Sequence, residues 1–287
     1  MSRRAAIVGA TGAVGRDLLA VLAARDFPLR SLRLLASPRS AGERIAFRGE
    51  ELTVEALGPD SFAGVEIAWF SAGGATSREH AGRAVAAGAV VVDNSSAFRL
   101  DPEVPLVVPE VNPEAAAAHR GILANPNCST ILLVLALAPL QREAGLTAVV
   151  VSTYQAASGA GQRAMTELRA GAAAMLRGEV APAAAFPHPL AFNLVPQVDV
   201  FQADGYTREE DKMLFETRKI LGLPELRLEA TCVRVPVERC HSEAVSVQLG
   251  RPLTVGRARA LFAGAAGLEL GDDPATSCYP MPLPMAG

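Results

Sequence analysis

Cys128 stands in the run Asn125-Pro-Asn-Cys128-Ser-Thr-Ile, at the mouth of an apolar helix expected over residues 129–140. A helix N-terminus favours negative charge, so a thiol placed there tends to ionise and become a nucleophile. The free main-chain N–H groups of the same turn can hold the oxyanion that forms when a thiolate attacks a carbonyl. Taken alone, Cys128 also reads as a small buried hydrophobe, as free cysteines often are. His241 lies between two expected strands, residues 230–237 and 243–249, and is a candidate acid and base because imidazole titrates near neutrality. At a strand edge, taken alone, it reads more readily as a structural side chain.

A second chemical signature is Gly9-Ala-Thr11-Gly12-Ala13-Val14-Gly15, between an expected strand at 5–8 and an expected helix at 16–25. This is a Gly-x-x-Gly-x-x-Gly form of the dinucleotide fingerprint, whose tight turn seats a pyrophosphate on a helix N-terminus. The next strand, residues 32–36, ends in Ser37-Pro-Arg39-Ser40, with no carboxylate before Glu43. An NAD site usually places an acidic residue there, whereas a guanidinium with hydroxyls suits a 2′-phosphate. NADP is therefore expected over NAD, with an ordinary exposed loop as the alternative.

The elements around these residues predict an α/β protein. Short apolar strands at 5–8, 32–36, 67–70 and 89–92 alternate with helices at 16–25 and 77–87, which implies a parallel, Rossmann-type sheet covered on both faces. The later half has longer strands at 146–153, 230–237 and 243–249, with helices at 162–176 and 207–220, the pattern of an α+β domain. A nucleotide domain over residues 1–127 and a second domain over 128–287 are expected, in keeping with 287 residues in all. The proline-rich stretch 181–196 reads as a long irregular connection that could border a subunit contact, and the alanine runs 115–118 and 172–174 as helix filler.

A net charge of -3 gives no support to nucleic-acid or anionic-membrane binding. Four cysteines without a CxxC pair indicate reduced thiols, with neither a disulfide framework nor a metal site. The first apolar stretch is broken by Gly9 and Gly12, so no signal peptide or membrane span is read and a cytoplasmic location is expected.

Several motifs occur in order: residues 9–15, Asp-Asn-Ser-Ser-Ala-Phe-Arg at 93–99, Asn-Pro-Asn-Cys-Ser-Thr at 125–130, Ser-Thr-Tyr-Gln at 152–155, and Arg-Val-Pro-Val-x-x-x-His-Ser-Glu-Ala-Val at 234–245. Together they resemble bacterial-type aspartate-β-semialdehyde dehydrogenases over essentially the whole chain. The resemblance implies NADPH-dependent reductive dephosphorylation of 4-aspartyl phosphate to aspartate semialdehyde, on the route to lysine, methionine and threonine. It implies Cys128 as the nucleophile that forms a thioester and His241 as its acid–base partner. Arg234 would clamp the substrate α-carboxylate, Arg99 and Lys212 the phosphate, and Glu209 the ammonium. Gln155 would orient substrate beside the nucleophile, Asn127 would line the same corner, and Ser158 and Gly159 would approach the nicotinamide. Surface ion pairing is the plainer reading of Glu209 and Lys212. Glu210 reads as solvated, and His80, His119 and His188 have no role. Relatives imply a homodimer formed through the second domain.

The resemblance also implies that relatives continue beyond Cys278–Gly287, through a further strand and a long helix returning to the nucleotide domain. The sequence is therefore expected to be truncated, or to be a shortened paralogue. Two other functions stay in view. One is an acyl-phosphate reductase for an N-acetylated glutamyl substrate, which would have no use for a carboxylate at 209. The other is an inactive nucleotide-binding or interaction protein.

Overall fold

The computed structural model describes residues 2–286. In chain order the elements are β1 (Arg3–Val8), α1 (Ala13–Ala24), β2 (Leu29–Ala36), β3 (Arg44–Phe47), β4 (Glu50–Ala56), β5 (Ile67–Phe70), α2 (Gly74–Ala86), β6 (Val90–Asp93), β7 (Ile122–Ala124), α3 (Cys128–Ala144), β8 (Leu146–Gln155), α4 (Gln162–Leu176), α5 (Arg208–Leu221), β9 (Arg227–Arg234), β10 (Ser242–Leu249) and α6 (Val255–Ala263). They form two compact units. One runs up to Val108 and includes Asn112–Pro126; the other joins Pro109–Val111 to the chain from Asn127 onward.

The first unit carries a seven-stranded sheet ordered β3-β4-β2-β1-β5-β6-β7. All neighbours are parallel except the β3–β4 pair. Side chains alternate across a strand, so consecutive residues of β1 serve opposite faces. Ala6 and Val8 join Leu35, Phe62, Phe70 and Val91 in one core, and Ile7 joins Leu19, Leu22, Leu34 and Val54 in the other. This is the doubly covered parallel sheet expected for an α/β nucleotide domain.

The β3–β4 hairpin is absent from the sequence reading. Its two-residue turn is Arg48-Gly49, both with positive φ (50° and 83°), a geometry that asparagine-glycine usually signals and arginine does not. The alanines at 115–118 form a 3₁₀ turn, Pro113–Ala118, and not helix filler.

The second unit has a three-stranded sheet ordered β10-β8-β9, with β8 antiparallel to β10 and parallel to β9. Leu133 and Leu137 of α3 and Met213 of α5 pack with Val149, Val151, Ala230 and Cys232 from one face. On the other face Val150 and Tyr154 of the central strand are exposed. Residues 181–196 contain no helix or strand, in line with their prolines. Helix α3 begins at Cys128 itself and runs four residues past its expected end, carrying the buried Pro139 inside it. Among the described residues no helix is long and apolar enough to cross a membrane.

Candidate active site

The second unit places the thiol at the first position of α3. Asn127 is the N-cap: its side-chain oxygen accepts from the Ser129 N–H at 2.9 Å and the Thr130 N–H at 3.3 Å. This satisfies donors a helix start leaves bare and fixes the turn that presents Cys128. Asn127 is itself held from α5 at both ends. Its Nδ2 donates to Glu209 Oε1 at 2.9 Å, and its main-chain N–H donates to Glu216 Oε2 at 2.6 Å. Residues 209 and 216 are two turns apart on α5 and so share one face.

The start of α5 is fixed by a capping box between Thr207 and Glu210. Glu210 is therefore not a solvated carboxylate. One oxygen accepts from Thr207 and the other from the Cys232 N–H at 3.0 Å, tying helix to sheet.

Around the thiol the sheet contributes three side chains. Gln155 ends β8, buried, with Nε2 donating to Ser129 Oγ at 2.5 Å and to Glu209 Oε1 at 3.1 Å. Arg234 ends β9, opposite Gln155 in the parallel register. His241 immediately precedes β10, and its Nε2 is 3.2 Å from the exposed Cys128 Sγ.

Electrostatics separate these groups. Burial would push the Glu209 carboxyl up, but Lys212 and the Asn127 and Gln155 amides outweigh it and hold the group below its usual range. Lys212 is raised despite burial because it is bracketed by Glu209 at 3.0 Å and Asp199 at 2.7 Å. The expected phosphate ligand is thus paired to two carboxylates here. Burial, followed by the Arg234 charge, pushes His241 down to about 4. Burial likewise pushes the Cys232 thiol up to about 12, leaving it unreactive.

Arg234 is 7% exposed and donates from Nη1 to the Ala156 carbonyl at 2.7 Å, while its buried Nε has no partner among the described residues. Desolvation lowers its pKa, yet a guanidinium stays charged in a protein. A buried cation with unused donors is an anion site by its chemistry.

Ser158 and Gly159 sit in the short turn after β8. The Ser158 N–H bonds the Glu238 carbonyl, so this turn is laced to the segment leading to His241. A Cβ on Gly159 would lie 3.0 Å from Arg234 Nη1 and 3.6 Å from His241 Nε2. Gly159→Ala is therefore expected to push the Arg234 guanidinium by a few tenths of an ångström and to lower kcat/KM by about 3- to 10-fold, less than the ~100-fold that a misplacement of about 1 Å brings. Steady-state kinetics with unchanged kcat/KM would contradict it.

The remaining predicted residues belong to the first unit. Gly9 turns between β1 and α1 with φ of +91°, and a Cβ there would lie 2.6 Å from the Ser71 carbonyl oxygen. Thr11 completes the turn, and Gly12 caps α1 without a side-chain bond, leaving the first-turn N–H groups of Ala13 and Val14 for a ligand. Ser37 precedes a 3₁₀ turn of Pro38, Arg39 and Ser40. Arg39 is exposed and has no side-chain partner among the described residues. Arg99 is buried and donates from Nη2 to the Asn94 carbonyl at 2.9 Å. Its loop is anchored by the fully buried Asp93, which accepts from Ser77 Oγ at 2.6 Å and Ser95 Oγ at 2.7 Å.

Three contributors escaped the sequence reading, Glu216, Asp199 and the main chain of Ala156, and Asp93 was seen only as part of a motif, with no role. A pair of acids seven apart on an amphipathic helix was the one available signal for Glu216.

A thiol on a helix N-terminus beside an imidazole, with a dinucleotide-type turn in the other unit, fits the class of dehydrogenases that pair a cysteine nucleophile with a pyridine nucleotide. The matching family descriptions agree: "Semialdehyde dehydrogenase, NAD binding domain" covers residues 4–119 and "Semialdehyde dehydrogenase, dimerisation domain" covers residues 137–287. The chain is 51% identical over 284 residues to aspartate-semialdehyde dehydrogenase of Synechocystis sp., covering 99% of this chain and 84% of that protein. It is also 51% identical to the Aquifex aeolicus enzyme of that name, covering 100% of this chain and 86% of the relative. The crystal structure of aspartate semialdehyde dehydrogenase II from Vibrio cholerae complexed with ASA superposes with a TM-score of 0.95 at 43% identity, covering 99% of this chain and 84% of that one. This chain belongs to the aspartate-semialdehyde dehydrogenase family, oxidoreductases of amino-acid biosynthesis in the aspartate pathway.

Proposed function

We propose that the protein carries out NADPH-dependent reductive dephosphorylation of 4-aspartyl phosphate to aspartate semialdehyde through a thioester on Cys128. The observation that carries the reading is the 3.2 Å approach of Cys128 Sγ to His241 Nε2 beside the desolvated guanidinium of Arg234.

The Cys128 thiolate attacks the acyl carbon, the C–O bond to phosphate breaks, and a thioester remains. A bound dinucleotide would supply a hydride to the thioester carbon, leaving a thiohemiacetal oxyanion on Cys128. Breaking the C–S bond then releases the aldehyde and returns the thiolate. The proton consumed overall ends on the released phosphate.

Arg234 takes the α-carboxylate through its unused donors, and Glu209 faces the ammonium. Lys212 and Arg99 take the phosphate, while Gln155 and Asn127 orient the acyl group. The Glu209 carboxylate favours a free amine over an N-acetylated substrate.

The turn of Gly9, Thr11, Gly12, Ala13 and Val14 would hold the pyrophosphate, Ser37, Arg39 and Ser40 the 2′-phosphate, and Ser158 and Gly159 the nicotinamide end. Arg39 is exposed and has no side-chain partner among the described residues, which supports NADP over NAD. Arg39→Ala is expected to raise KM for NADPH about tenfold, or about 1.4 kcal/mol, and to leave that for NADH unchanged. Equal effects on both nucleotides would sink the assignment.

We read residues 1–127 as the nucleotide domain and 128–287 as the catalytic and dimerisation domain of a homodimer. The dimerisation-family match and the exposed Val150 and Tyr154 face support that reading. Four free cysteines suit the cytoplasm.

The test runs the reaction backward. Protein, NADP, phosphate and aspartate semialdehyde are mixed, and absorbance of the reduced nucleotide is followed. A rise that requires all three small molecules is expected. Its absence removes the proposal.

A further inference from the structure

Ala156 links β8 to the turn that carries Ser158 and Gly159, and it is completely buried. Both polar groups of its main chain are engaged by the site. Its carbonyl accepts from Arg234 Nη1 at 2.7 Å, and its N–H donates to His241 Nδ1 at 2.9 Å. The two residues that follow hold the same segment, with Ala157 N–H bonded to the Val237 carbonyl and Ser158 N–H to that of Glu238. The imidazole is thus fixed at both nitrogens, Nδ1 by a peptide donor and Nε2 by the sulfur.

An imidazole nitrogen that accepts a main-chain N–H uses its lone pair and carries no proton. The ring proton of neutral His241 must then sit on Nε2, directed at Cys128. A second proton could enter only at Nδ1, against the Ala156 N–H. We propose that His241 works as a neutral Nε2–H donor to the Cys128 sulfur, locked in that tautomer by the Ala156 main chain, and that it never stores the thiol proton as an imidazolium.

The charges facing the ring agree. Arg234 on β9 opposes a further positive charge, and Glu209 on α5 favours one but is already paired with Lys212. Glu243, on β10, is pushed up by burial, to about 8. Burial itself disfavours the cation most, in keeping with the value near 4.

The inference rests on the thioester reading for its chemical meaning. In that cycle the nucleophile enters and departs as a thiolate, so no proton need be returned to sulfur. A fixed N–H that stabilises a sulfur anion is sufficient. The thiol proton leaves for water, which the exposed Cys128 meets directly.

The test uses native protein labelled with ¹⁵N-histidine, and His241 is assigned by the signals lost in His241→Asn. Between pH 5.5 and 8.5 its Nδ1 is expected to stay pyridine-like and its Nε2 pyrrole-like. Iodoacetamide alkylation of Cys128 over this range should follow a single thiol titration. Two pyrrole-like nitrogens at pH 6 to 7, or a proton resident on Nδ1, would overturn the proposal, as would an alkylation profile with a second, imidazole step. Neither measurement needs substrate. A protein that shows the neutral tautomer but no turnover would therefore remove the proposed reaction and leave this assignment standing.

Discussion

Cys128→Ser is expected to abolish turnover, by about 10⁴-fold or more, with thermal midpoint and NADPH affinity unchanged. The size follows from removing a nucleophile from a constellation that acts as a unit, where one such deletion costs on the order of 10⁴- to 10⁶-fold in kcat. A helix N-terminus and one N–H donor can shift a thiol into the neutral range, but not a hydroxyl. Nothing in the fold requires the sulfur: Cys128 is exposed, and the turn is held by Asn127, Glu209 and Glu216. Steady-state rates, a NADPH fluorescence titration and a melting curve test this together. Mass spectrometry of native protein quenched with acyl phosphate should show an acyl adduct on Cys128 that the variant lacks. Residual turnover above about 1% would mean that another group attacks the acyl carbon. A lowered melting point with lost nucleotide binding would mean that the thiol supports the fold.

What the sequence showed of this site depended on how local each cause was. The turn at Gly9 and the helix start at Cys128 are set by a few neighbouring residues, so glycine spacing and the Asn-Pro-Asn-Cys run revealed both. The meeting of Cys128 with His241 spans 113 residues and depends on strand order, so only resemblance to a family could suggest it. Glu210 was misread because a helix-start acid looks the same in sequence whether water or a cap surrounds it. Its partner, the Cys232 N–H, is 22 residues away. Ala156 was invisible for a deeper reason. Its contribution is a peptide N–H and C=O, which every non-proline residue has, and only the fold aims them at His241 and Arg234.

Arg234→Met separates binding from folding most sharply. The guanidinium is buried, lies 5.7 Å from the centre of the Phe186 ring, and makes one hydrogen bond among the described residues, to the Ala156 carbonyl. Such a cation is stabilised incompletely, and replacing a buried charge by an apolar side chain of similar length is often neutral or stabilising. The variant is therefore expected to melt within a few degrees of the parent, or above it. Substrate binding goes the other way. Truncating one partner of a buried, hydrogen-bonded charge pair costs about 2–5 kcal/mol, so kcat/KM for aspartate semialdehyde should fall by about 30- to 4,000-fold. Most of the loss should appear in KM if the carboxylate contact is equal in ground and transition states, with NADPH affinity unaltered. Arg234→Lys should recover only part of it, because an ammonium offers one point of contact where the fork offers two. The decisive measurement is the pair of numbers for Arg234→Met. A large drop in melting temperature with kcat/KM intact would make Arg234 a structural cation, and the α-carboxylate would then need another partner.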